Sequence, residues 1–142
     1  FRTICTASTI NAFVVSLAAQ RPEPLSAAVW LAMGKPDTTV FLPGYYGIGS
    51  LPAGALSLNA KVLVLEKAAE ADYGPMIGKL KREFSPAEKA FLAERPGFEK
   101  EFAVLYRKDK TEALKKLDAY IAAAFAKAET LTEKLLAGNK AN

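Results

Sequence analysis

The chain contains no histidine and a single cysteine, Cys5. The first absence excludes a Ser-His-Asp triad, a Cys-His dyad and any zinc site that uses an imidazole, within these 142 residues. The second excludes an internal disulfide and a thiolate metal cluster, and one free thiol fits any redox compartment. Charge is scarce in one region only. Residues 1–59 hold five charged side chains, Arg2, Arg21, Glu23, Lys35 and Asp37, and residues 60–142 hold the other 29. No internal repeat or low-complexity segment accounts for that shift.

What is present is enough for a core: 51% of the chain is hydrophobic, which sets it apart from disordered sequences. Two stretches lack charge, 3–20 and 38–60. The first is interrupted by Thr and Ser, Asn11 and Gln20, the second by Pro43, Pro52 and four glycines. Neither offers the roughly 20 predominantly apolar residues of a membrane span. The net charge of +4 admits an anionic partner, but signs alternate along the second half, as in Glu99-Lys100-Glu101. Such alternation reads as solvated helix surface rather than a nucleic-acid footprint. Nothing at Phe1-Arg2-Thr3-Ile4 resembles a secretory leader, and the missing initiator Met implies that an upstream portion has been removed. The compartment is not legible.

The pattern predicts an α+β fold, with a strand segment over 1–59 and a helical segment packing on it over 60–142. Arg2–Thr6 is short, rich in β-branched residues and of strand character. Ala12-Phe13-Val14-Val15-Ser16-Leu17 and Ala27–Met33 are apolar runs of strand length. Thr38–Leu42 is a further run, closed by Pro43-Gly44. The short, turn-rich gaps predict antiparallel pairing. Near-continuous hydrophobicity predicts that both faces of the sheet are covered, yet three or four strands and one helical half can cover only one. Material from outside this chain is therefore expected on the other.

Beyond residue 60 the period becomes helical. Leu114, Leu117, Ile121, Phe125, Ala128, Leu131 and Leu135 define one stripe, more often core than a partner-binding face, with Asp109 and Glu112 as a capping box and Gly138 as a stop. Ser85-Pro86-Ala87-Glu88 predicts a separate helix start, and Arg95-Pro96-Gly97 a break before a helix carrying Phe98, Phe102 and Leu105. Residues 61–72 fit a helix, although Val62–Leu65 fits a strand equally well.

Few groups suggest chemistry. Cys5 lacks a base; Arg2 lies three residues away, on the opposite face of a strand, so the thiol reads as a small buried hydrophobe. Thr3, Thr6, Ser8, Thr9 and Asn11 line either a polar pocket or a strand edge. Gly44-Tyr45-Tyr46-Gly47-Ile48-Gly49 lacks the Lys-Ser/Thr of a phosphate cradle, and reads as a turn-rich loop whose tyrosines pack or touch a ligand. The carboxylates lie among lysines and read as solvated helix surface.

The ordered set Arg2-Thr3-Ile4-Cys5-Thr6, Thr9, Asn11-Ala12-Phe13-Val14-Val15, Val29-Trp30-Leu31-Ala32-Met33-Gly34-Lys35-Pro36-Asp37-Thr38 and Phe41-Leu42-Pro43-Gly44-Tyr45-Tyr46-Gly47 resembles the C-terminal part of the dipeptidase A family, peptidase family C69. The resemblance covers residues 1–52. It departs from the family at Ala12, often Ser, and at Ser16-Leu17-Ala18, usually Gln-Leu-Arg. It implies an N-terminal-nucleophile hydrolase of αββα architecture. There a cysteine at the mature N-terminus attacks a small peptide or amide, and its own α-amine, with a reference pKa of about 7.7–8.0, serves as base. Cys5 cannot be that nucleophile in a chain that begins at Phe1. The resemblance thus implies a fragment or subunit that is inactive alone, needs the missing N-terminal portion as its partner, and uses no metal or other cofactor. Arg2 is the implied catalytic residue, with Thr9, Asn11 and Tyr45 for substrate. The other reading is a self-contained, non-enzymatic α+β interaction module, its sheet sealed. The fragment is expected to self-associate through uncovered strands.

Overall fold

The computed structural model describes residues 11–139; Arg2, Cys5, Thr9 and the expected Arg2–Thr6 strand lie outside them. Three strands come first: β1 (Ala12–Leu17), β2 (Ala27–Ala32) and β3 (Phe41–Tyr45). Three helices follow: α1 (Ala55–Ala71), α2 (Tyr73–Lys108) and α3 (Lys110–Asn139). The fold is α+β, with an antiparallel sheet in the order β1-β2-β3.

Register explains a feature that sequence reading mistook. Pro43-Gly44 was expected to close a strand over 38–42; instead both lie inside β3. The Tyr46 amide donates to Ala27 O at 3.0 Å, and the alternation of antiparallel pairs then leaves Phe41, Pro43 and Tyr45 in non-hydrogen-bonded positions against β2. Their backbone nitrogens point away from the sheet. The Phe41 amide meets Glu88 Oε1 of α2 at 3.0 Å. Proline at 43 leaves no donor there to satisfy, so an edge strand accepts it. The chain leaves β3 through Tyr46-Gly47, where an added Cβ at Gly47 would lie 2.2 Å from Pro24 Cβ. Close backbone approach, not a ligand cradle, requires that glycine.

The β2–β3 connection is fastened to α1. Gly34 has φ of +142°, and its open side is filled by Glu66 and Val62. Glu66 is buried, accepts the Lys35 amide and also meets the Thr38 hydroxyl at 3.4 Å, while the Lys35 ammonium pairs with Glu70. Glu66 thus corrects the expectation that the carboxylates are all solvated.

In α1 the buried positions Ala55, Leu58, Val62, Leu65 and Ala69 recur at steps of three and four, so Val62–Leu65 is helix. α2 runs unbroken for 36 residues, about 54 Å. Neither Ser85-Pro86 nor Arg95-Pro96-Gly97 interrupts it. Each proline costs up to about 3 kcal/mol in a helix interior. Both, however, face solvent, while Leu80, Phe84, Ala87, Phe91, Phe98 and Phe102 carry a buried stripe past both of them. Breaking the helix would expose that stripe.

Asp109 alone separates α2 from α3. It caps α3 as expected, its Oδ1 accepting the Glu112 amide at 3.0 Å. α3 runs on through Gly138, the expected stop. Glu101–Lys116 at 2.6 Å and Glu83–Lys134 at 3.1 Å set α2 and α3 antiparallel. Ser57 and Lys61 reach Glu129, and Lys61 reaches Glu133, so α1 and α3 run the same way. Of the predicted α3 stripe, Leu117, Ile121, Phe125, Ala128 and Leu135 are buried, joined by Ala113 and Ala124.

Candidate functional site

The sheet meets the helices at β3 and opens to solvent at β1. On the face turned toward α2, Val14, Trp30 and Phe41 share a recess with Glu88 and Leu92. At the inner corner, Tyr45 is buried and its hydroxyl donates to Glu99 Oε1 at 3.0 Å. The same carboxylate takes Arg95 Nε at 2.6 Å and Arg21 Nε at 2.9 Å. Arg21 belongs to the β1–β2 connection, so three segments converge on one carboxylate of α2. The Arg95 guanidinium carbon lies 6.0 Å from the Trp30 ring centroid. Beneath, Phe98 sits 6.0 Å from the Tyr45 ring and stacks on Tyr120 at 3.9 Å.

The electrostatics define what this cluster can do. Burial, helped by the Glu99 charge and hydrogen bond, pushes the Tyr45 phenol far above its usual value. Burial pushes Tyr120 up as well. Burial alone would lower Arg95, but the hydrogen bond and charge of Glu99 outweigh it and hold the guanidinium protonated. Tyr45 is therefore a hydrogen-bond donor and not a base. Glu99 accepts from three donors, Tyr45, Arg95 and Arg21. The cluster carries two cations against one anion, and Arg21 Nη1 is buried without a partner among the described residues. It clamps sheet to helix and leaves one unit of positive charge beside Tyr45.

Asn11 is exposed and precedes Ala12, which pairs with Ala32. Tyr45 pairs with Ala28, four residues away along β2, or about 13 Å. The two therefore lie at opposite ends of the sheet. Arg2 and Thr9 fall outside the described residues. Sequence reading missed Arg21, Arg95 and Glu99. The signals were slight: Arg21 is one of five charges in the first half, and Arg95 and Glu99 stand at helical i, i+4 spacing.

The outer edge is the second candidate. The Ala18 amide donates to Ser26 O at 2.9 Å, continuing the β1–β2 ladder. By alternation, the backbone groups of Phe13, Val15 and Leu17 point away from β2, and no further strand pairs with them among the described residues. Their side chains share the sheet face opposite Trp30 and are 65%, 45% and 78% exposed; Val14, on the other face, is 58% exposed. Charge does not guard this edge: β1 has none.

Among the described residues no group of three or more acidic or sulfur side chains is placed to hold a metal ion, and no helix is long and apolar enough to cross a membrane. Compared with protein-family models, curated proteins and solved structures, the chain matches none.

Proposed function

We propose that this chain is the part of a dipeptidase-like cysteine amide hydrolase that does not carry the nucleophile. In the assembled enzyme a cysteine led by its own α-amine, on polypeptide outside residues 11–139, attacks the carbonyl carbon of a small peptide. The carbon–nitrogen bond breaks, the amine leaves with the proton that the α-amine took from the thiol, and water releases the acyl group from sulfur. This chain supplies one sheet and one helical layer of an αββα sandwich. Tyr45 and the positive Arg21–Glu99–Arg95 cluster form part of the pocket wall, and Arg2 stands near the reacting thiolate.

The observation that supports this reading is that the described residues leave the outer edge of β1 uncovered. Its far face is apolar, uncharged and exposed, as a sheet is when the second sheet of a sandwich is missing. A self-contained module, the other reading, requires that strand to be sealed by this chain's own residues. The test is to express the reading frame upstream of Phe1 together with this chain and to assay dipeptides. A cysteine-led upstream segment with thiol-sensitive hydrolysis supports the proposal. So does a loss of turnover on Arg2→Ala at unchanged stability. Full hydrolysis by residues 1–142 alone, or none by the joined polypeptide, overturns it.

A further inference from the structure

Away from Tyr45, between the β2–β3 connection and the first half of α2, lies a cavity of about 330 Å³. Pockets for small ligands start at about 300 Å³. Ile77 and Phe84 give it an apolar wall, and Asp37, Lys81, Ser85 and Glu88 bring polar groups to it. Those groups have capacity to spare. Asp37 accepts the Tyr73 hydroxyl on Oδ2, while its Oδ1 is buried with no partner among the described residues. Glu88 spends one oxygen on the Phe41 amide. Lys81 is exposed, and no described carboxylate pairs with it.

Two carboxylates, one ammonium, the hydroxyls of Thr39 and Ser85, and an apolar wall restrict what fits. A simple anion would face Asp37 and Glu88. A simple amine would face Lys81. A hydrocarbon would displace water from Glu88 and Lys81 and offer them no hydrogen bond in return, which is costly. A metal ion would lack a third acidic ligand. We infer that the cavity binds a free α-amino acid with an apolar side chain. Its ammonium donates to Asp37 and Glu88, its carboxylate accepts from Lys81 and Ser85, and its side chain lies on Ile77 and Phe84.

The inference rests on the cavity and not on the hydrolase reading; failure of either leaves the other standing. The test titrates the full chain with L-leucine, N-acetyl-leucine and isoamylamine, followed by amide chemical shifts. Leucine gives saturable shifts around Asp37 and Lys81. The two analogues, each lacking one charged group, bind at least roughly tenfold more weakly. Lys81→Met and Glu88→Gln each weaken leucine by a similar factor without lowering the melting temperature; Lys81 is exposed, so its variant folds. The inference is overturned by equal affinities for the three compounds, by unchanged leucine affinity in Lys81→Met, or by no saturable shift up to about 20 mM leucine.

Discussion

The two halves of the molecule solve the same problem with different completeness. In the α2–α3 hairpin, Phe102, Leu117 and Ile121 are fully shielded, and most charged residues stand outside, Arg95 and Glu99 excepted. In the sheet, burial falls off strand by strand. β3 is enclosed at Leu42, Pro43 and Tyr45, β2 is half-buried, and β1 exposes four of its six side chains, all apolar. A helix satisfies its own backbone and needs a neighbour on one stripe only. A strand needs neighbours along its edge and on its faces. The described residues thus close a core between the helices and around β3, where Leu42 and Tyr45 are buried on opposite faces, and they leave β1 without a neighbour along its outer edge.

Breaking that core has the largest effect. Phe102→Ala is expected to destabilise the chain by about 3–5 kcal/mol in denaturant unfolding, because the buried stripe crosses both prolines at α2 and its cavity cannot collapse freely. Next comes the joint between the halves. Glu99→Ala strands two guanidinium groups and the Tyr45 hydroxyl, at an expected cost of about 2–3 kcal/mol in the same measurement. Pro96→Ala restores an amide inside α2 and is expected to stabilise by about 1–2 kcal/mol, less than the full helix propensity difference because the site is solvent-facing and already accommodated. The smallest effect lies at the α1–α3 clasp. Hydrogen bonds from Lys61 and Ser57 hold the Glu129 carboxyl below its usual range. A carboxyl depressed in the folded state contributes stability above its unfolded pKa, near 4.3, and loses it as pH falls through the folded value. The melting temperature of Glu129→Gln is therefore expected to converge on that of the unaltered chain below about pH 4.

How much of this was legible follows the range of the interaction that decides each feature. β1 and β2 were readable because apolar, β-branched runs of six residues carry their own signal. The Asp109 cap was readable because donor and acceptor lie three residues apart. Pro43 was misread because only the hydrogen-bond phase against Ala27 shows that its missing amide is harmless. Pro86 and Pro96 were read as boundaries because local preference points that way, and only the continuous Leu80–Phe102 stripe overrides it. Val62–Leu65 stayed ambiguous until their burial was known. The Arg21–Glu99–Arg95 cluster was invisible, since Arg21 and Glu99 are brought together only by the packing of the β1–β2 connection on α2. Asn11 and Tyr45 were expected to serve one substrate, and the register sets them at opposite ends of the sheet.

The central claim is that β1 is built to be covered by polypeptide other than the described residues of its own chain. Light scattering on residues 1–142, compared with the Val15→Lys/Leu17→Lys variant, tests it most directly. The account predicts that the unaltered chain rises above 15.3 kDa with concentration and binds an apolar dye, while the variant stays at the single-chain mass with its melting temperature unchanged. A chain that stays at 15.3 kDa at all concentrations and binds no dye would contradict it.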